Sequence, residues 1–579
     1  MNLLGDRLHV GVRVVVEVRH GRALSWTGVH HRGMDGGASP PVKIVYMIRF
    51  GQLRRRSCMR ALFTNEVPTD FSQPEARQAM EDALRSVESQ LGRRGPLVIG
   101  SERRTTDAWI QSVNPGNPTQ IVGEVAKATK QDAIDALIRA GEAFPAWSRT
   151  TAEARAGLAF RLAGIYRQRK LEFAAWMVYE LDKAWDEADG EVCEAIDMLE
   201  WNGREVLRLA QPAALAHLPN EANRLTYQGL GVGVVIPPWN FPCAIFTNMV
   251  MAAVVAGNTV VVKPATNTPV IASLLVDAMM DAGVPAGVVN LVPGSGGEIG
   301  DLLVDHPSTR FIAFTGSKEI GIRIFERGAK VHPGQRWLKR VTAEMGGKDA
   351  IIVADDADVQ AAADAIVVSA FGFSGQKCSA CSLAVVDDAV YDDVVERVAE
   401  ATARLRVGSA RDGQADVGAV VDASQYQSIL DYIDIGNQEG RLVTGGHAVP
   451  DTDGYYIQPT VFADVDRSAR IATEEIFGPV LAIVRSPSFE TSVEIVNDLE
   501  YGLTGSVFSR DRTRLEWAGR ELEVGNIYFN RKCTGAMMGV HPFGGMKMSG
   551  TNTKSGGPDY LVNFMEAKAI GERLDGPTS

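Results

Sequence analysis

The sequence predicts an α/β protein built on a largely parallel sheet with helices on both faces. Three observations carry that expectation. Short apolar runs end repeatedly in Gly, Pro, Asn or Ser, as in GVGVVIPPWNFP, NTVVVKPATNTP, GVVNLVPGSGGEIG, TRFIAFTGSKEIG and DAIIVADDAD. Helical segments such as VIASLLVDAMMDAGV lie between them, and this strand–turn–helix alternation builds parallel sheets covered on both sides. The 579 residues are 45% hydrophobic and 22% charged, which suffices for an ordinary globular core. At roughly 100–200 residues per domain, two to four domains are expected.

The same numbers exclude several classes. A net charge of −12 argues against a nucleic-acid-binding surface. No run approaches the ~18 apolar residues of a membrane span, so no membrane partner is expected. Six cysteines, at 58, 193, 243, 378, 381 and 533, are too sparse for a disulfide framework. The opening MNLLGDRLHVGVRVVVEVRH lacks the uninterrupted apolar stretch of a secretory signal. A reducing, cytoplasmic setting with free thiols is therefore expected.

Taken in order, residues 1–58 hold strand-like scraps, many Arg and Gly, and no helical period. They are expected to form a poorly ordered extension, with Met59 as the natural start. From Glu75 to Leu91, EARQAMEDALRSVESQL repeats apolar residues at helical spacing. VNPGNPTQIVGEVAKAT is turn-rich and then strand-like. KQDAIDALIRAGEAFPAW, TAEARAGLAFRLAGIYRQRK and LEFAAWMVYELDKAWDEADGEVCEAIDMLEWNGREVLRLA carry helical patterns. The strand–turn–helix units follow. A second α/β unit runs from about Met345 to Thr534, with QAAADAIVVSAFGF, SLAVVDD, YDDVVERVAEATARL and TSVEIVNDLEYGLTGSVFS.

Ligands of parallel α/β sheets bind beyond the carboxyl ends of the strands, where Asn240, Lys263, the glycines of 294–300 and Ser317 fall. PGSGGEIG is not the dinucleotide fingerprint, because Ile299 stands where Gly or Ala is wanted; alone it reads equally as a plain turn. At AFTGSKEIG, free amides and the Ser317 hydroxyl either face a pyrophosphate or simply cap the following helix. Two such corners in one sheet favour a dinucleotide. Lys263, closing NTVVVKPA, either leaves the core or bonds a ribose or phosphate.

In FGFSGQKCSACS the helical pattern breaks at Gly372 and Gly375, and a strand begins near Leu383, so Cys378 sits on a loop. A thiolate there is a strong nucleophile toward a carbonyl, and Lys377 is a candidate for lowering its pKa. A zinc site would need further ligands, and neither Cys nor His recurs at finger spacing. A redox Cys-x-x-Cys ordinarily follows a strand at a helix N-terminus, whereas this one precedes a strand. No metal is expected. Glu344, in TAEMGGKDAIIV, precedes two glycines that permit close backbone approach. Alone it reads as a solvated surface residue; beside a thiol it reads as a base.

These signals align with one family. PPWNFP, VVVKPA, FTGS, EMGGKDA, GQKCSA, EEIFGPV and PFGG occur in that order, and the stretch from about Phe63 to Leu574 resembles the aldehyde dehydrogenase superfamily. The resemblance implies a Rossmann-like parallel-sheet NAD-binding domain, an α/β catalytic domain and a small β oligomerisation flap. On that map residues 59–208 and 230–343 bind NAD, 344–551 form the catalytic domain, and 209–229 with 552–579 are oligomerisation elements. It further implies Cys378 as nucleophile, Glu344 as general base, and Asn240 with the Cys378 amide as oxyanion donors. Lys263 would hold the adenosine ribose, Gly316 and Ser317 the pyrophosphate, and Glu475 the nicotinamide ribose, with Phe477 packed near it.

YFNRKCTGAMMGVHPFGGMKMSGTNTKSGGPDYL and NEVPTDFS closely resemble the branch of the family that oxidises L-glutamate γ-semialdehyde, the open form of 1-pyrroline-5-carboxylate, to L-glutamate. By that resemblance Gly535, Ala536 and Ser379 bind the substrate α-carboxylate, and Phe241 and Phe543 flank its aliphatic chain. No proline dehydrogenase unit is present, so the monofunctional form is implied. The segment 209–229 resembles the family's projecting hairpin, which pairs with a neighbour's C-terminal tail and implies a homodimer or larger assembly. Two residues depart from the pattern. Cys533 stands where Pro is frequent, which puts the rigidity of the anchor loop in question. Thr266 stands where NAD-preferring members often carry Glu, so NADP use stays open beside NAD. The alternatives are another semialdehyde dehydrogenase, such as one for succinic semialdehyde, or a non-catalytic scaffold that kept the fold.

Overall fold

Two seven-stranded sheets meet at the segment that follows Glu344. The computed structural model describes residues 63 to 574; the expected extension at 1–58, with Met59, lies outside the described residues. In the first sheet, Val232–Ile236, Thr259–Val262, Val289–Leu291, Thr309–Thr315 and Arg340–Glu344 run parallel. Their order is Arg340–Glu344, Thr309–Thr315, Val232–Ile236, Thr259–Val262, Val289–Leu291, and an antiparallel hairpin of Leu97–Ile99 and Glu102–Arg104 completes the far edge. The valine-rich runs are buried along their whole length, as a strand covered on both faces requires.

The second sheet has the order Arg441–Thr444, Thr460–Ala463, Val480–Ser486, Cys381–Asp387, Asp349–Val353, Thr504–Phe508, Asn526–Phe529. All its pairings are parallel except that of the first edge strand. The Cys378 loop leads into the strand Cys381–Asp387 and so lies at the amino end of the second sheet, while Glu344 ends the edge strand of the first at its carboxyl end. Glu344 lies one residue past the boundary expected at 343 and belongs to the first sheet by its pairing with Thr315.

Within 209–229, expected to project and pair with a neighbour's tail, only Glu221–Gly229 is a strand. Glu221–Gly229 pairs antiparallel with Met565–Arg573 of the same chain, in unbroken register from Gly229 opposite Met565 to Glu221 opposite Arg573. No helix among the described residues is long and apolar enough to cross a membrane.

The helix Trp185–Leu209 organises what surrounds the site. It is amphipathic in an unusual sense, because it buries acids as well as apolar side chains. Asp189 accepts from the Thr69 amide and hydroxyl, each at 2.7 Å, and pairs with Lys170 at 3.1 Å. Asp197 accepts from the Glu66 amide at 2.7 Å and the Asn65 side chain at 2.8 Å. These bonds dock the extended segment that begins at Phe63. Asp189→Ala strips the partly buried Lys170 of its carboxylate and the Thr69 amide of its acceptor. A loss of about 3 kcal/mol of unfolding free energy is expected, read as a lowered urea midpoint at unchanged slope.

Candidate active site

Cys378 is half-buried and lies between the helix Val359–Phe371 and the strand Cys381–Asp387. The turn leading to it is conformationally costly. Phe373 (φ 52°), Ser374 (φ 55°) and Gly375 (φ 67°) are three successive left-handed residues, two of them with side chains. Such a run persists only where its surroundings over-determine it. Here they do: the Ser374 hydroxyl donates to the Gly418 carbonyl at 2.7 Å. A Cβ on Gly375 would stand 2.3 Å from the Gly478 carbonyl oxygen, so only glycine fits.

Gln376 follows, fully buried, and is fixed from both ends of its amide. Its oxygen accepts from Val421 N at 2.9 Å and its NH₂ donates to the Ala419 carbonyl at 3.2 Å. The backbone carbonyl of Gln376 in turn accepts from the Asn240 side-chain amide at 3.0 Å. Asn240 is thereby held two residues from Cys378, with its second amide hydrogen left for another acceptor.

Gly346 and Gly347 explain the glycine pair after Glu344. A Cβ on Gly347 would meet the Cys378 carbonyl oxygen at 2.4 Å, and one on Gly346 would meet the Glu475 carboxylate at 2.0 Å. The Gly347 amide donates to Glu475 at 2.9 Å. Phe477, at φ 56°, sets its ring edge-on to Trp239 at 5.6 Å. Glu475 and Cys378 are thus gathered on the Gly346–Gly347 backbone.

Glu344 accepts from Gly545 N at 3.2 Å and from the Thr553 hydroxyl at 3.3 Å. Burial pushes its carboxyl up to about 8, against the pull of those two bonds. Glu475 is pushed up to about 7 for the same reason. The Cys378 thiol is pushed above its ordinary value, first by burial and then by the charges of Asp349, Glu475 and Glu344. This corrects the expectation that Lys377 lowers it. The Lys377 ammonium turns away to Glu187, 2.6 Å distant, on the helix Trp185–Leu209.

At the first sheet's carboxyl edge, Lys263 donates to the Pro264 and Gly294 carbonyls at 3.1 and 3.2 Å. No carboxylate pairs with it among the described residues, and burial brings its ammonium down to about 8. Ser317 caps the helix Lys318–Ala329 by accepting from Ile320 N, so its hydroxyl plays the plain capping role weighed above. The amide of Gly316 donates to the Glu344 carbonyl at 3.1 Å.

The expected substrate residues lie on several loops, and Ser379 directly follows Cys378. Phe241 is half-buried with its ring 6.3 Å from that of Phe373. The Ser379 carbonyl accepts from the Cys533 thiol at 3.6 Å, which ties the loop of Gly535 and Ala536 to the nucleophile's loop. Gly535, at φ 74°, is exposed, and its carbonyl accepts from Arg531 at 3.2 Å. Phe543 exchanges backbone bonds with Ser555, both at 2.8 Å. Cys381 opens its strand fully buried, and its thiol packs on that of Cys533.

Sequence reasoning missed Glu187, Lys183, Glu191, Gln376 and Asp349. One signal was present: Glu187, Glu191 and Glu194 recur at i, i+4 and i+7, which puts three carboxyls on one helix face. The other partners come from elements far apart in sequence and leave no local trace.

The pattern of the Aldehyde dehydrogenase family matches residues 102–570. A 1-pyrroline-5-carboxylate dehydrogenase of Geobacillus kaustophilus is 56% identical over 510 residues, covering 88% of this chain and 99% of that protein. One of Bacillus cytotoxicus is 51% identical over 516 residues, covering 89% of this chain and 100% of that one. Among solved structures, 1-pyrroline-5-carboxylate dehydrogenase from Thermus with bound NAD superposes with a TM-score of 0.87 at 49% identity, over 89% of this chain and 99% of that one.

A raised thiol has a direct readout. The rate at which iodoacetamide alkylates Cys378 is expected to keep rising up to pH 9.0, the ordinary cysteine value, without levelling off. A plateau near neutral pH in the ligand-free protein would contradict the electrostatics described here.

Proposed function

The chain belongs to the aldehyde dehydrogenase family, and on that premise we propose that it oxidises L-glutamate γ-semialdehyde, the open form of 1-pyrroline-5-carboxylate, to L-glutamate with NAD. One observation carries the chemistry: a half-buried thiol, Cys378, is flanked by a fixed amide donor, Asn240, and by a buried carboxyl, Glu344, whose charge reaches it. The 1-pyrroline-5-carboxylate dehydrogenases that match nearly end to end support the substrate.

The residues present fit NAD. Lys263 offers an ammonium whose partners are carbonyls alone, suited to ribose hydroxyls. The helix Lys318–Ala329 presents its N-terminus to a pyrophosphate, with Gly316 and Ser317 at the corner. The carboxylate of Glu475, held by the Gly347 amide, would accept from the nicotinamide ribose, with Phe477 two residues on. When bound, NAD supplies the hydride acceptor. Thr266 is exposed and uncharged, so nothing at that position repels a 2′-phosphate.

The Cys378 thiol gives its proton to solvent, the thiolate attacks the aldehyde carbon, and the C=O π pair moves to the oxygen, which becomes an oxyanion. Asn240 Nδ2, already held by the Gln376 carbonyl, and the Cys378 amide would donate to that charge. After oxidation the acyl group stays on Cys378 as a thioester. Glu344 takes a proton from water, and the resulting hydroxide attacks the thioester to release glutamate and the thiol. Gly535, Ala536 and Ser379 hold the α-carboxylate, and Phe241 and Phe543 line the chain.

The first sheet, with residues 59–208 and 230–343, is then the NAD-binding part and 344–551 the catalytic part. The outer edges of the pair Glu221–Gly229 and Met565–Arg573 are where a second copy adds a strand, giving a homodimer or larger assembly. The five described cysteines are free thiols, which supports a reducing, cytoplasmic setting.

Reduced-cofactor formation with 1-pyrroline-5-carboxylate and with succinic semialdehyde, each with NAD and NADP, tests the assignment. Turnover is expected with the first substrate and NAD; turnover with the second alone would refute it. Glu344 works only as carboxylate, so hydrolysis of the thioester is expected to rise with pH through about 8. Glu344→Gln should slow that step by about 10²–10⁴-fold and leave the acyl group on the Cys378 peptide, visible by mass spectrometry.

A further inference from the structure

We infer that Lys183, with Glu191 as its counter-ion, is the positioning residue of the oxyanion donor. The inference rests on the proposed role of Asn240. Lys183 has 0% exposure, and its side-chain nitrogen is paired with the equally buried Glu191. Its ammonium bonds the Glu191 carboxylate and donates to the backbone carbonyl of Asn240 at 2.7 Å. It also sits over two aromatic faces, 4.3 Å from the ring centre of Phe241 and 4.1 Å from that of Phe373. One cation therefore touches the proposed amide donor, a proposed substrate-facing ring and the left-handed turn that leads to Cys378.

Glu191 closes the other side of the same loop. Its second oxygen accepts from Cys243 N at 2.7 Å and Ala244 N at 3.1 Å, the first amides of the helix Ala244–Val255. The residues Asn240, Phe241, Pro242 and Cys243 are thus clamped between an ammonium at their start and a carboxylate at their end. Buried aromatic rings and a buried carboxylate are what a desolvated ammonium needs in place of water. The clamp fixes the Asn240 backbone, and the Gln376 carbonyl fixes its side chain. With both ends held, the remaining amide hydrogen points one way.

Removing Lys183 should free the Asn240 carbonyl and let the donor drift, and a displacement of about 1 Å costs up to about a hundredfold in rate. The test is a double-mutant cycle on kcat. Lys183→Met is expected to lower kcat about tenfold or more in the wild-type background, and by less than about twofold in the N240A background. The KM for NAD should not change. K183M/E191Q removes the unpaired buried charge while an amide oxygen still accepts from Cys243 and Ala244, so it carries the same comparison if K183M alone does not fold. An equal loss in both backgrounds, or a wild-type kcat for K183M/E191Q, overturns the inference while leaving the proposed function intact. A wild-type kcat for N240A removes the oxyanion role itself, and this inference with it.

Discussion

The site depends on one steric constraint, the absence of side chains at Gly346 and Gly347. The first sheet ends at Glu344 and the second begins at Asp349, so only four residues cross between them. Across that span Gly347 passes so close to the Cys378 carbonyl that no Cβ fits, and Gly346 lies against the Glu475 carboxylate, which a Cβ would displace. A side chain at 347 would push the Cys378 loop away, and one at 346 would displace the Glu475 carboxylate. Precision in the site therefore comes from bringing backbone against backbone, and long side chains are not asked to span gaps.

The same closeness sets the electrostatics. Asp349, Glu344 and Glu475 all act on the Cys378 thiol, and each would oppose its ionisation if charged. Burial relieves the conflict by holding the carboxyls toward their neutral forms: Glu344 to about 8, Glu475 to about 7, Asp349 well above its ordinary value. Desolvation outweighs hydrogen bonding at each of them. A carboxyl poised near neutrality is also the kind of group that serves as a general base at physiological pH.

The large features were legible in the sequence. The apolar runs ending in turn residues read as strands, and they are; Cys378 was placed on a loop, and it lies on one. What was not legible was partner choice. Lys377 was read against its neighbour Cys378, but its partner Glu187 stands 190 residues away. Residues adjacent on an irregular loop point apart, and only the fold decides which distant carboxylate comes within reach. Lys183 was passed over because a lysine near a helix end ordinarily faces water. Phe373 and Ser374 gave no warning of left-handed backbone, since ordinary residues adopt it only where tertiary contacts compel it.

Cys533 shows how such a departure is accommodated. A proline at that place would stiffen the anchor loop by fixing φ and removing a donor. Cysteine does neither, so stiffness must come from contacts. The Cys533 side chain is fully buried, its thiol donates to the Ser379 carbonyl, and it packs against Cys381 inside the second sheet's core. Beyond it, Arg531 accepts the task of holding the loop's outer face by donating to the Thr534 and Gly535 carbonyls. The anchor loop is thus tied to the nucleophile's own loop through a side chain, where a proline would have constrained it only within itself. The loop of Gly535 and Ala536 and the loop of Cys378 therefore share one support, the core beneath Cys533 and Cys381.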